Sequence, residues 1–312
     1  MSKAGQPRDK GELFKMWCTR EGGAFMDTLS VMFTMDCEAL ASMSAEGGPE
    51  SWEMAQRSIA GFSSILFESG YKPTLFIVPA AASKLSGILL DMEKAGAQLG
   101  LHLHPQDEGY SDYLGAYTFD RQLKMIKEAV DKWSDALGML PDCFRGGNLS
   151  ANDNTFPALA QCGFTEGSLS VSGRSFTRAK SNWTGAPQYA YRTDPANRLL
   201  EGDMDFLEIP ITADWESVMW GGLTKLELRI EMVDARSHGF TVRKNIDRQI
   251  TEGVGNKYLL SLTHNIFDYS DPSEFRTGVL KGVIDEIHRH SEKVDLTVEG
   301  EALGQYRKRF FL

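Results

Sequence analysis

The chain has 312 residues, of which 42% are hydrophobic and 24% are charged. These fractions are typical of a globular protein with a substantial core, so long disordered stretches are not expected. The net charge of −10 argues against a general nucleic-acid-binding role, because phosphate contacts need clustered Lys and Arg.

The beginning of the chain is polar and lacks the apolar core of a signal peptide. No run of about 18 apolar residues is present, so no membrane partner is expected. The cysteines form no C-x-x-C pair and are too few for a disulfide framework; we expect buried free thiols at Cys18, Cys37, Cys143 and Cys162. These features together predict a cytoplasmic protein.

Residues 1–26 are interpreted as an N-terminal extension with one short helical stretch (11–17), and residues 27–312 as a single domain. Short apolar runs predict strands over residues 29–35, 73–78, 97–103, 142–144, 168–171, 206–211, 258–263 and 296–298. Apolar residues at helical spacing predict helices over residues 50–70, 84–95, 114–140, 152–162, 272–290 and 302–309, with mixed loop and helix over 234–251. Ser150 is a candidate N-cap for the fourth of these helices. Between the strands, the polar segment 172–205 is predicted to be a long excursion that forms a lid or a substrate wall.

Alternating strands and helices predict right-handed crossovers and a mainly parallel sheet in an α/β protein. About seven such units, with polar clusters at the strand ends, favour a (β/α) barrel over a flat doubly wound sheet.

Two carboxylates, Asp36 and Glu38, follow the first predicted strand. Side chains at i and i+2 lie on the same face of an extended segment. Because two like charges there repel, one of them is expected to bind a cation or to have a shifted pKa. A surface turn with solvated acids is the alternative for an isolated pair of this kind.

Two histidines at the same spacing, His102 and His104, lie at the end of the third predicted strand, and His264 follows the strand over 258–263. Both imidazoles of the pair can converge on one metal ion. With Glu38 they make a set of two histidines and one carboxylate, which suits Zn²⁺, Fe²⁺, Co²⁺ or a similar ion and leaves positions open for water and substrate. A structural His pair in a turn is the alternative. The pattern favours a metal-dependent hydrolase.

Four segments resemble, in order, the motifs of the polysaccharide deacetylase family, the NodB-homology group of carbohydrate esterase family 4. They are residues 34–38 (TMDCE), 100–105 (GLHLHP), 144–152 (FRGGNLSAN) and 261–264 (SLTH). The resemblance covers about residues 28–303 and implies a distorted (β/α) barrel in which a metal-activated water attacks an acetamide carbonyl.

The resemblance also implies roles for individual residues. Asp36 resembles the catalytic base, Arg145 the arginine that orients the base, and His264 the general acid that protonates the leaving amine. The metal ligands carried over by position are Glu38, His102 and His104.

The chain departs from the family pattern in three places. The first motif has Asp-Cys-Glu rather than adjacent aspartates. The usual second histidine is replaced by Gln106, so His104 is taken as the ligand, with Asp107 as the alternative. The family's Asp-x-x-Asp-Trp motif is not recovered; Asp214 and Trp215 are candidate substrate-binding residues in its place, as is Asn148 of the third motif.

The sequence therefore predicts a hydrolase of a carbon–nitrogen amide bond, acting on an N-acetylated amino sugar or sugar conjugate with a divalent metal, first of all Zn²⁺ (Co²⁺, Fe²⁺ or Ni²⁺ otherwise). One alternative is an allantoinase-like or imidase-like enzyme acting on a small non-sugar amide, and another is a non-catalytic carbohydrate-binding relative. Alanine at Asp36 or His264 is expected to abolish turnover and leave folding intact. The oligomeric state is left open.

Overall fold

The computed structural model describes residues 27–312; the predicted extension, its helical stretch and Cys18 lie outside this range. The strands are β1 (Thr28–Cys37), β2 (Thr74–Ile77), β3 (Gln98–Leu103), β4 (Cys143–Gly146), β5 (Glu166–Gly167), β6 (Ser175–Phe176), β7 (Ser181–Asn182), β8 (Tyr191–Arg192), β9 (Leu207–Glu208), β10 (Ala213–Met219), β11 (Thr224–Glu227), β12 (Lys257–His264) and β13 (Thr297–Gly300). The α-helices are α1 (Trp52–Glu68), α2 (Pro79–Lys94), α3 (Phe119–Leu137), α4 (Thr155–Gln161), α5 (Ala235–Thr251), α6 (Phe275–Lys293) and α7 (Leu303–Phe310).

One curled sheet organises the molecule. Its strand order is β12-β1-β2-β3-β4-β5-β9-β8, and β13 pairs with the first half of β1. Every pair is parallel except β8 with β9. The curled sheet with helices between its strands confirms the predicted α/β class and the distorted NodB-like barrel.

Strand β1 lies between β12 on one side and β2 and β13 on the other, and its residues from Leu29 onward are buried. A continuous apolar run is what a parallel strand covered on both faces requires. In register with β12, Asp36 stands opposite His264. Parallel register therefore brings the ends of the first and last long strands to the same edge of the sheet.

The far side of β12 is covered by irregular chain. The amide of Thr212 donates to Leu260 O at 3.1 Å, and the amides of Ile230 and Leu262 donate to Leu262 O and Leu228 O at 2.9 and 3.0 Å. The segments on either side of the β10–β11 hairpin therefore extend the wall of the barrel past β12.

Apolar side chains alternate between two cores along β1. Val31, Phe33 and Met35 belong to the larger cluster, which the helices cover, whereas Met32 joins Phe76 in a smaller cluster. The smaller cluster also contains Leu303 and Tyr306 of α7. The period-two alternation of a strand thus distributes one apolar run over both faces of the sheet.

Three local predictions were wrong. The strand expected over 168–171 is instead the two-residue β5, and α4 begins at Thr155 after Asn154. The Ser150 hydroxyl accepts from the amide of Gly115 rather than capping that helix. The antiparallel β10–β11 hairpin, which was not predicted, lies beyond the 172–205 excursion.

The remaining expectations concern the cysteines and membrane spans. Cys37 and Cys143 are buried free thiols and Cys162 is a partly buried one. Among residues 27–312, no helix is long and apolar enough to cross a membrane.

Candidate active site

The polar residues at the end of β1 are hydrogen-bonded to the residue that follows β12. The side-chain amide of Asn265, the residue after β12, accepts from the amide of Glu38 at 2.9 Å and donates to its carbonyl. The amide of Asn265 donates to Asp36 O at 3.1 Å. These bonds hold the end of β1, where the side chains of Asp36 and Glu38 line the same cavity.

Glu38, His102 and His104 form a buried cluster. Oε1 of Glu38 lies 3.2 Å from Nε2 of His102 and 3.2 Å from Nε2 of His104, and the two Nε2 atoms are 3.1 Å apart. The i, i+2 spacing of the histidines at the end of β3 therefore brings both rings onto one carboxylate oxygen.

The hydrogen bonding of His102 indicates what this cluster needs. Its Nδ1 lies 3.0 Å from Arg145 O, and a carbonyl oxygen can only accept a hydrogen bond. Nδ1 therefore carries the proton, and Nε2 of the neutral ring has a lone pair. A lone pair 3.2 Å from a carboxylate oxygen is repulsive unless positive charge lies between them. Either an extra proton or a metal ion satisfies this arrangement.

Two further observations fit a metal ion at this cluster. Oε2 of Glu38 is buried and has no hydrogen-bond partner among residues 27–312. A Cβ at Gly147 would lie 2.4 Å from Nδ1 of His104, so a glycine at this position leaves space for the His104 ring. The donor set of one carboxylate and two imidazoles is suited to Zn²⁺ and similar ions.

The cluster is electrostatically coupled. Burial alone would raise the pKa of Glu38, but His104 and His102 outweigh it and hold that pKa well below its usual value. Burial would lower the pKa of His104, but the Glu38 carboxylate outweighs it and raises that pKa to about 9. The Glu38 carboxylate therefore favours positive charge at this cluster, which a bound cation would also supply.

Arg145 is buried behind Asp36. Its Nη1 donates to Oδ1 of Asp36 at 2.7 Å and to the hydroxyl of Thr34 at 2.9 Å, and its Nε donates to Ser168 O at 3.0 Å. The guanidinium also lies 4.2 Å from the ring centroid of Phe76. These contacts fix the position of Asp36, whose Oδ2 lies 3.8 Å from Nε2 of both His102 and His264.

His264 is held from behind by a carboxylate that the sequence analysis missed. Oε1 of Glu231 lies 2.6 Å from Nδ1 of His264 and 2.7 Å from Nε of Arg229. Burial would raise the pKa of Glu231, but Arg229 and His264 outweigh it and lower that pKa. The charged residues Glu227, Arg229 and Glu231, spaced two apart at and after the end of β11, were the available sequence signal for a charged wall.

These side chains surround a cavity of about 170 Å³. Of the predicted site residues, the following six line it: Asp36, Glu38, His102, His104, Asn148 and His264. Arg145 lies behind Asp36 as described above. The structure thus places seven of the predicted residues at one place, while their roles stay predictions.

The other candidates lie elsewhere. Asp214 is paired with Lys244 at 3.1 Å, and Trp215 lines a separate small cavity beside Tyr189. Asp107 lines a third cavity at the start of α2, and burial raises its pKa. Among the described residues, Asp214, Trp215 and Asp107 do not line the cavity that contains Glu38, His102 and His104.

No protein-family model matches the chain, and no curated protein matches it. Several solved structures do match. One, described as a polysaccharide deacetylase from Mycobacterium smegmatis, is 16% identical over 93% of this chain and 92% of that chain, with a TM-score of 0.61. A second, described as a glycoside hydrolase/deacetylase from Parabacteroides distasonis, is 10% identical over 91% and 70% of the two chains, with a TM-score of 0.64.

A third similar structure is Puue allantoinase, which is 14% identical over 98% of both chains with a TM-score of 0.57. At these identities the likeness establishes the fold. The resemblance to polysaccharide deacetylases is therefore confirmed for the architecture, and the chain has the fold that these deacetylases and the allantoinase share.

Proposed function

We propose that the protein is a metal-dependent hydrolase of a carbon–nitrogen amide bond, which removes the acyl group from an N-acetylated amino sugar or sugar conjugate. The observation that carries the proposal is the convergence of Asp36 and His264 on the Glu38–His102–His104 cluster in one cavity. A candidate base, a candidate acid and a set of metal-ligating atoms are together what amide hydrolysis requires.

Glu38, His102 and His104 would hold the metal, with Zn²⁺ as the first candidate and Co²⁺, Fe²⁺ or Ni²⁺ as others. When bound, such an ion polarises an acyl carbonyl and acidifies water. The carbonyl of Arg145 keeps the proton of His102 on Nδ1, so the lone pair of Nε2 is available to bind the metal.

Asp36 is the base in this proposal. One of its oxygens is held by Arg145, and the other faces the cavity without a hydrogen-bond-length contact to either neighbouring imidazole. The free oxygen accepts a proton from the attacking water, while the ion pair with Arg145 keeps the carboxylate in its orientation.

His264 is the acid. Glu231 accepts from Nδ1, which orients Nε2 toward the cavity, 3.8 Å from Asp36. From Nε2 the imidazolium gives its proton to the leaving nitrogen. Arg229, which shares Oε1 of Glu231, neutralises the carboxylate and limits its movement.

A second candidate is hydrolysis of a small non-sugar amide. It is favoured by the match to the allantoinase, which extends over nearly the whole of both chains, and by the small cavity. The two candidates share the same residues and differ only in the substrate.

Acyl release from purified, metal-saturated protein tests the proposal. Acetate is measured after incubation with N-acetylhexosamines and their oligomers, and ammonia or ring opening after incubation with allantoin and simple imides. We expect acetate release that disappears in His264→Ala and persists in Glu286→Gln, a buried carboxylate paired with Arg243 away from the cavity. Sugar binding without turnover would contradict the proposal and favour a non-catalytic carbohydrate-binding protein.

A further inference from the structure

The cavity is small for a polysaccharide, which is the class of substrate named in the description of one similar solved structure. At about 170 Å³ it is below the roughly 300–1,000 Å³ of pockets that take drug-sized ligands. A polymer bound at an internal residue needs a groove that continues on both sides of the reacting unit. Whether a groove continues past the reacting unit depends on the residues that form the walls of this cavity.

One wall is a loop that folds back immediately after Glu38. The carboxylate of Glu46 accepts from Asn148 at 2.8 Å and from the Tyr113 hydroxyl at 2.8 Å. Glu46, its two following glycines and Asn148 all line the cavity. Because Glu46 is solvent-exposed, this bridge joins the loop to the segment after β4 at the mouth of the cavity.

Another part of the wall is a buried ion pair. Nη1 of Arg174 lies 2.6 Å from Oε1 of Glu227, which also accepts from the hydroxyl of Thr224 at 2.9 Å. Both charged side chains are at most 4% exposed and line the cavity beside Arg229. Oε2 of Glu227 has no hydrogen-bond partner in the described part of the chain.

An unpartnered buried carboxylate oxygen is costly unless a ligand group satisfies it. A hydroxyl suits this wall because it donates to the carboxylate and accepts from a neighbouring guanidinium. The remaining lining is aliphatic, from Leu149, Leu262 and Ile266, which suits the carbon face of a ring. Donors, an acceptor and an aliphatic surface are together the chemistry of a single sugar ring.

We propose that the cavity binds one N-acylated monosaccharide unit, free or at a chain end, and that Arg174 and Glu227 recognise its ring hydroxyls. This inference rests on the proposed function and narrows it to a substrate of one ring. In this proposal the Glu46–Asn148 bridge, which lines the cavity, blocks the ring that follows an internal unit of a polymer.

The test compares N-acetylglucosamine, N-acetylgalactosamine and N-acetylmannosamine with the β-1,4-linked N-acetylglucosamine tetramer. Acetate release and calorimetric binding are both measured on metal-saturated protein. We expect a monosaccharide to bind, and kcat/KM per acetyl group to be at least about tenfold higher for it than for the tetramer. Acetate released from internal residues of the tetramer at comparable rates would overturn the inference while leaving the proposed function intact.

The wall is tested with Glu227→Gln, which keeps the shape and removes the charge, beside Glu286→Gln as a buried carboxylate away from the cavity. We expect the monosaccharide Kd to rise about tenfold in the first variant, as for loss of a charge-assisted hydrogen bond, and to stay unchanged in the second. Thermal denaturation checks that both are folded. If Glu227→Gln does not fold, the comparison of chain lengths on the unaltered protein decides the proposal.

Binding measurements distinguish failure of the one-ring cavity from failure of the proposed hydrolysis. Monosaccharide binding that weakens in Glu227→Gln, without acetate release from any sugar, would contradict the proposed function and support the ring-binding cavity. Failure of all three monosaccharides to bind, or wild-type affinity in Glu227→Gln, would overturn the inference.

Discussion

Oε1 of Glu231 lies 2.6 Å from Nδ1 of His264, so a carboxylate from the irregular segment after β11 holds the imidazole at the end of β12. The other oxygen of Glu231 accepts from the Thr263 hydroxyl at 3.0 Å. A histidine held at Nδ1 presents Nε2 in one orientation, which a proton donor to a leaving group requires.

Replacing that carboxylate by an amide tests its positioning role. In Glu231→Gln we expect kcat to fall at least about tenfold with little change in KM, because the imidazole loses both its orientation and the charge that stabilises the imidazolium. Steady-state kinetics across pH 5.5–9 measure this, since a changed pH profile distinguishes a role through His264 from simple destabilisation. A Glu231→Gln enzyme with the wild-type profile would contradict the role.

Alanine at Asp36 is now expected to reduce stability as well as activity. Asp36 is the carboxylate partner of the fully buried Arg145, and breaking a buried ion pair costs about 3–5 kcal/mol because it leaves one charge uncompensated. His264 is partly exposed, so His264→Ala removes activity at a smaller cost. Denaturant unfolding of the two variants should show this difference; equal stabilities would contradict the importance of the ion pair.

Gly147 provides the space for the His104 ring. Since a Cβ there would lie 2.4 Å from Nδ1 and 2.5 Å from Cε1 of that ring, Gly147→Ala should displace His104 and weaken Zn²⁺ binding by at least about tenfold. Calorimetric titration with Zn²⁺ measures this. Gly87→Ala, at a helical glycine with open space around it, is the matched control, and equal affinities in the two variants would refute the expectation.

Glu208 is a buried carboxyl that accepts from the amide of Leu169 and the hydroxyl of Ser170. Burial raises its pKa from 4.5 to about 7, so the folded state favours the protonated form. Its contribution to stability is therefore present below about pH 4.5 and is lost as pH rises through 7, which amounts to about 3 kcal/mol over that window.

Glu208→Gln should remove this pH dependence, since an amide does not titrate. Urea unfolding of both proteins at pH 5 and pH 8 measures the difference. The free energy of unfolding should fall between the two pH values by about 2–3 kcal/mol more in the wild type than in the variant. Parallel pH dependences would show that Glu208 is ionised in the folded protein at both pH values.

The sequence was sufficient to locate the residues at the ends of long strands. β1 and β12 are continuous apolar runs, so their C-terminal polar residues, Asp36, Glu38 and His264, could be placed at one sheet edge by parallel register alone. His102 and His104 followed from the same argument applied to β3. These positions depend on local pattern and on a general rule of topology.

The part of the cavity wall that contains Arg174, Glu227 and Arg229 could not be predicted in this way. Glu231 and Arg229 come from a segment whose position is set by backbone bonds to β12, and Arg174 reaches Glu227 across 53 positions of the chain. Such contacts depend on tertiary packing of irregular segments. The choice of Asp214 as a substrate contact illustrates the limit: the sequence places it after a strand, but its side chain pairs with Lys244.

The central claim is that Glu38, His102 and His104 bind a metal ion. Inductively coupled plasma mass spectrometry of the purified protein, with and without chelation and Zn²⁺ reconstitution, tests it most directly, beside Glu38→Gln and the control Glu286→Gln. We expect about one divalent ion per chain in the wild type and the control, with loss of most of it in Glu38→Gln. Metal-free wild-type protein that neither takes up Zn²⁺ nor gains thermal stability from it would contradict the claim.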